Sequence, residues 1–273
     1  RASLETSFGI NKAHVPTLVE LSKIYRDSKR FDEGLALAQQ ANKLANQSVQ
    51  TQEELAKSLL SIGQAKQALS ILNKLLKKKP LEQSFLANKA IALKALGSAE
   101  YDYLCNYDHV LVTQINVPEG FASLAEFHQE LVSTLREYHL TKTNPLDQSL
   151  IGGSQTFDKL FDYQVPIFQS LRAAQREQML AFLARLPKDD KHPVLSRNTG
   201  DFIETDSWSV ILQNAGFHKN HHHTAGWYSG PYYAKVPESI IGCPQQKGWV
   251  KLGEPGSSMV EPMGADKIVQ PEE

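Results

Sequence analysis

Nine histidines are spread along the 273 residues, and three of them stand together at 221 to 223 in "NHHHTAGWYSGPYY". In an extended chain, residues i and i+2 share a face about 7 Å apart, so His221 and His223 converge while His222 points away. Two neutral imidazoles at that spacing can chelate a transition metal. Iron, copper, nickel and zinc all accept imidazole, so the pair alone leaves the metal open. A polar turn whose rings hydrogen-bond within the fold is the competing explanation. His218 adds density without adding a regular spacing.

For such a pair to work, a strand must run through it. From residue 207 onwards short β-like runs occur: "SWSVIL", "YYAKV" and "GWVKL", separated by Gly, Pro and Asn. Pro231 interrupts "SGPYYAKV" and cannot donate to a ladder, so a bulge or an edge is expected there. On that strand Ser229 and Tyr233 share a face, and Trp208 lies on the strand before the histidines.

The preceding region reads as helical. "Ser123-Leu-Ala-Glu126" is a capping box opening a helix to about His139, and a second helix is expected over 166 to 186 with an apolar stripe from Ile167 to Leu186. Between them Gly152-Gly153 asks for unusual backbone angles or close approach, for which a turn is the simplest account.

The first hundred residues repeat. Lys29, Gly63 and Gly97 recur at a period of 34 residues, the length of a helix-turn-helix tetratricopeptide unit. Ser22, Ala56 and Ala90 are small where two helices would cross, and Tyr25, Leu59 and Leu93 supply a large residue three places on. Gly34 and Ala68 are small again, Ala41 and Leu75 are apolar, and Pro80 follows a helix it cannot extend. In the third unit Asp102, Asn106 and His109 take the second-helix positions, so the array is expected to stop near residue 100. These residues resemble the tetratricopeptide family, whose concave face commonly binds a peptide or another domain.

Composition excludes some partners. With 29 basic and 30 acidic side chains the net charge is −1, and no basic run exceeds Lys77-Lys78-Lys79, so neither nucleic acid nor an anionic membrane is indicated. Cys105 and Cys243 are far apart and lack metal-site or disulfide spacing. Free thiols and the lack of a leader or a spanning run point to a cytoplasmic protein. The chain opens on Arg1 and ends on "KIVQPEE", which reads as a fragment of a longer chain.

Taken together, "SWSVILQNAGFHKNHHHTAGWYSGPYYAKVP" resembles the region of the first metal ligands in bacterial 2-oxoglutarate and iron(II)-dependent oxygenases. "NVPEGFASLAEF", "NPLDQSLIGGSQT", "HPVLSRNTGDF" and "GWVKLGEP" resemble that family in the same order. The resemblance implies an α+β chain. Tetratricopeptide-like repeats would occupy 1–108, and a double-stranded β-helix, or jelly-roll, with preceding helices would occupy 109–273, its last strands missing.

It further implies Fe(II) held by His221 and His223, with 2-oxoglutarate as co-substrate and dioxygen as oxidant. Trp208, Ser229 and Tyr233 would line the co-substrate pocket. The implied activity is hydroxylation of a substrate, such as a protein, recruited through the repeats. His221 matches the first ligand and His223 the residue two further on, a departure from the commonest site, in which a carboxylate completes the set with two histidines. The third ligand and the 2-oxoglutarate anchor are expected beyond residue 273, so the chain as given is expected to be inactive.

The rival is a tetratricopeptide scaffold with a degenerate or cupin-like barrel. The cupin version is weakened because Trp227 and Tyr228 stand where a glutamate would be expected.

Overall fold

A computed structural model describes residues 2–141, 148–256, 259 and 261–272. The first four residues of the "NPLDQSLIGGSQT" motif lie outside the described residues. The chain divides into two compact units, one of residues 1–106, 222–227 and 253–265, the other of residues 107–221, 228–252 and 266–273.

Among the described residues the first unit is built on seven helices: α1 (Ala2–Ile10), α2 (Val15–Asp27), α3 (Phe31–Leu44), α4 (Val49–Ser61), α5 (Ala65–Lys78), α6 (Gln83–Ala95) and α7 (Ala99–Leu104). Each packs on the next in sequence, and α2, α4 and α6 also meet in succession. The 34-residue period has a direct structural form. Lys29, Gly63 and Gly97 all adopt left-handed backbone, at φ of 60°, 77° and 60°. One residue further on, the amides of Arg30, Gln64 and Ser98 donate to the carbonyls of Tyr25, Leu59 and Leu93 at 2.8, 2.9 and 3.0 Å. This long-reach closure satisfies the orphan carbonyls at a helix end, and here it recurs in three copies.

Two of the three small residues, Ser22 and Ala56, sit in the buried helix crossings, whereas Ala90 is only half-buried. A Cβ on Gly34 would meet the Ser22 carbonyl oxygen at 3.1 Å, and Ser22 and Ala56 are fully buried. Leu18, Leu21 and Leu37 form one apolar cluster, and Leu59, Leu72, Leu75 and Phe85 form another. The helix that follows α6, α7, is only six residues long and carries Asp102.

The second unit mixes helix and strand: α8 (Leu124–Tyr138), β1 (Leu150–Gln155), α9 (Pro166–Arg185), β2 (Val210–His218), β3 (Val250–Leu252) and β4 (Lys267–Val269). Ser123 Oγ accepts from the Glu126 amide at 3.2 Å, and Glu126 reaches back to the Ala122 amide at 2.8 Å, one residue earlier than a simple capping box requires. Pro166 opens α9, where its missing N–H costs nothing. Phe127, Leu131, Phe168 and Leu171 are buried between α8 and α9, with Tyr138 meeting Phe168 edge-on at 5.2 Å.

Among the described residues the strands form two antiparallel pairs, β1 with β2 and β3 with β4. The structure differs from the sequence-based expectation at three places. Gly152-Gly153 is no turn but part of β1. The strand expected at 207–212 begins at Val210 and runs on to His218. No strand forms over 232–236, although "YYAKV" alternates well. A strand needs a partner's ladder, and Pro231 removes a donor at its start. No helix of the described residues is long and apolar enough to cross a membrane.

Candidate metal-binding segment

The β1–β2 pair delivers the histidines. Ile151 pairs with Phe217 and Gly153 with Leu212, so a wide bulge in β2 opposes Gly152 alone. Both sides accommodate it with left-handed backbone, at φ 69° for Gly152 and 47° for Asn214. The approach is very close, since a Cβ on Gly153 would fall 2.4 Å from the Ile211 carbonyl oxygen. Glycine is required at this crossing for lack of space as much as for its backbone freedom.

The ladder ends where Leu150 pairs with His218, and a last bond runs from the Lys219 amide to Ser149 O at 2.8 Å. Beyond it the chain is irregular through Lys235. His221, His222 and His223 are exposed and lie past the end of β2. The strand alternation that made His221 and His223 converge therefore does not apply, because β2 has lost its partner three residues earlier.

His221 is brought instead to His218. Their ring centroids are 6.0 Å apart and the rings are tilted by 39°. The Nδ1 atom of His218 lies 2.9 Å from Ser149 Oγ. That of His221 lies 2.7 Å from the Lys219 carbonyl oxygen. A carbonyl oxygen can only accept, so Nδ1 of His221 carries the proton and the lone pair of its neutral ring is on Nε2. An imidazole oriented by a carbonyl in this way has the tautomer of a metal ligand. The donor chemistry of the segment thus fits a transition metal. Among the described residues no group of three or more His, Cys, Asp or Glu side chains is gathered. The sequence gives no signal for His218, because a separation of three matches no strand period.

The remaining candidates are dispersed. Trp208 precedes β2 and is 39% exposed. Ser229 is exposed and Tyr233 half-buried, in chain without a ladder, so their shared strand face is also lost. Burial raises the Tyr233 phenol above its usual range.

Its neighbour Tyr232 turns into the core and bonds His128 Nε2 at 2.6 Å. Burial pushes the Tyr232 phenol up to about 12. Tyr228 is likewise pushed up to about 12 by burial, with its ring edge-on to Phe182 at 5.2 Å. The Tyr232–His128 contact escaped the sequence because its partners are distant along the chain.

Residues 206–273 match the family model described as "Putative 2OG-Fe(II) oxygenase". The match covers about a quarter of the chain and takes in Trp208, His221, His223, Ser229 and Tyr233. That family implies Fe(II) and 2-oxoglutarate, with dioxygen as the second co-substrate. No curated protein matches the chain.

Proposed function

We propose that this protein is an Fe(II)- and 2-oxoglutarate-dependent dioxygenase that hydroxylates a substrate recruited by its N-terminal repeats. The carrying observation is the oxygenase-family match over 206–273, a segment in which the ring of His221 is set with its lone pair on Nε2. Fe(II) with bound 2-oxoglutarate supplies the activation of dioxygen that no amino-acid side chain provides.

The protein's own residues bind and orient. His221 and His223 hold the metal as neutral imidazoles, and the Lys219 carbonyl keeps the first of them in the ligating tautomer. Trp208, Ser229 and Tyr233 are assigned to the co-substrate side by the family resemblance, and the Tyr233 hydroxyl is a hydrogen-bond donor suited to it.

The same reading assigns residues 1–108 to tetratricopeptide-like repeats and 109–273 to a jelly-roll oxygenase domain with preceding helices. The repeated closures at Lys29, Gly63 and Gly97 support the first assignment. The exposed faces of stacked helices would bind a protein or peptide partner.

The test is Fe(II)-dependent conversion of 2-oxoglutarate to succinate by the full-length protein, compared with His223→Ala. Succinate formation that requires Fe(II) and falls at least tenfold in the variant supports the proposal. Absence of turnover by a full-length protein that still binds partner peptides would favour the scaffold instead.

A further inference from the structure

The segment that carries His223 has no secondary structure of its own, yet a metal ligand has to be held in place. The six residues 222–227 belong to the same compact unit as α6. There Gln83, the first residue of α6, donates from Nε2 to the Gly226 carbonyl oxygen at 2.9 Å. Near the other end of the helix, Lys94 Nζ donates to the carbonyl oxygens of Gly253 and Gly264 at 2.8 and 2.6 Å. These carbonyls belong to the 253–265 segment of that unit. The helix between the two donors is firmly seated, with Phe85, Ala92 and Leu93 almost wholly buried.

We propose that Gln83 is a positioning residue for the metal ligand His223, fixing the loop 222–227 from a rigid helix three residues past that histidine. The proposal rests on the metal-binding role assigned above. It gives the helical repeats a task besides recruitment, since α6 carries donors for two segments of the oxygenase-family region. A charged or amide donor to a backbone carbonyl is suited to this task. It restrains the chain without demanding a particular side chain there, and a loop without a ladder has carbonyls to offer.

The test replaces the donor without disturbing the helix. Gln83→Glu is nearly isosteric, lacks the N–H and repels the carbonyl, while a carboxylate in a first helical turn is favourable for the helix itself. Gln83→Lys restores a donor. Two quantities are read on the full chain: amide hydrogen exchange of the 222–227 peptide, and affinity for Co(II), used as a spectroscopic probe.

Gln83→Glu is expected to speed exchange of this peptide and to weaken Co(II) binding by about two- to tenfold, the span of one lost hydrogen bond. Gln83→Lys should recover both, and the helical circular dichroism should not change. Unaltered exchange at 222–227 in Gln83→Glu would overturn the anchor. Faster exchange with unaltered Co(II) affinity would overturn its role in positioning the ligand. Wild-type protein whose Co(II) uptake is indifferent to His223→Ala would overturn the metal assignment itself, and the exchange arm tells that failure from failure of the anchor.

Discussion

Gly216 lies in the bulge of β2 opposite Gly152, and a methyl group there has no room. Its Cβ would be 2.1 Å from the Gly152 carbonyl oxygen and 3.0 Å from that of Gln213. Both are backbone atoms, so no rotamer change relieves the clash. The strands would have to part by about 1 Å or more before ordinary contact is regained. The pairs next to this point are Ile151 with Phe217 and Leu150 with His218, and parting the strands breaks their hydrogen bonds.

One or two lost ladder bonds, together with the strain of overpacking, put the cost of Gly216→Ala at about 2–4 kcal/mol. Gly230→Ala is the control. Nothing lies within 4 Å of that Cβ position and its backbone is not left-handed, so its cost should stay within about 0.5 kcal/mol. Trp208 stands just before β2, so urea unfolding followed by tryptophan emission reports on this region. Equal midpoints for the two variants would refute the steric account of the crossing.

Glu54 is buried with Arg26 as its ion-pair partner and Ser22 Oγ at 2.9 Å. Burial raises its carboxyl despite the guanidinium. Glu54→Ala strands a largely buried cation and should destabilise the helical unit by about 3–5 kcal/mol, read from urea unfolding by circular dichroism; a change below about 1 kcal/mol would contradict this.

His139 bridges Ser154 Oγ at 2.8 Å and Ser209 Oγ at 3.1 Å, and burial, aided by Arg136, holds its pKa below the usual 6.5. The unfolded chain therefore takes up this proton more readily, so the stability it contributes is present above pH 6.5 and lost as pH falls through the lower folded value. His139→Gln should flatten that dependence, and an unchanged acid profile would contradict it.

Tyr232→Phe removes the bond to His128 and should cost about 1–3 kcal/mol of stability. Tyr233→Phe should leave stability nearly intact and weaken 2-oxoglutarate binding in the full-length protein; titration of both variants separates the two tyrosines.

How much was legible in the sequence follows from the range of the forces involved. The turns at Lys29, Gly63 and Gly97 were readable because a helix end is closed by residues five apart, and the same is true of Ser123 with Glu126 and of Pro166 at the start of α9. Gly152-Gly153 announced a backbone constraint but not its kind, because the reason is Gly216 and Ile211 on a strand far along the chain. "YYAKV" has the alternation of a strand, yet alternation records which side chains could share a face and cannot supply a partner. The convergence of His221 and His223 depends on strand geometry, and the strand stops at His218. What the sequence did carry to the segment is its chemistry, since three imidazoles and the surrounding motif are present whatever the backbone does.

An anaerobic Fe(II) titration of the full-length protein and of its His221→Ala, His223→Ala and His222→Ala variants tests most directly whether His221 and His223 hold Fe(II). Loss of either ligand should weaken binding at least tenfold, or about 1.4 kcal/mol, while His222→Ala should bind as wild type does. Unchanged affinity in both His221→Ala and His223→Ala would contradict the account.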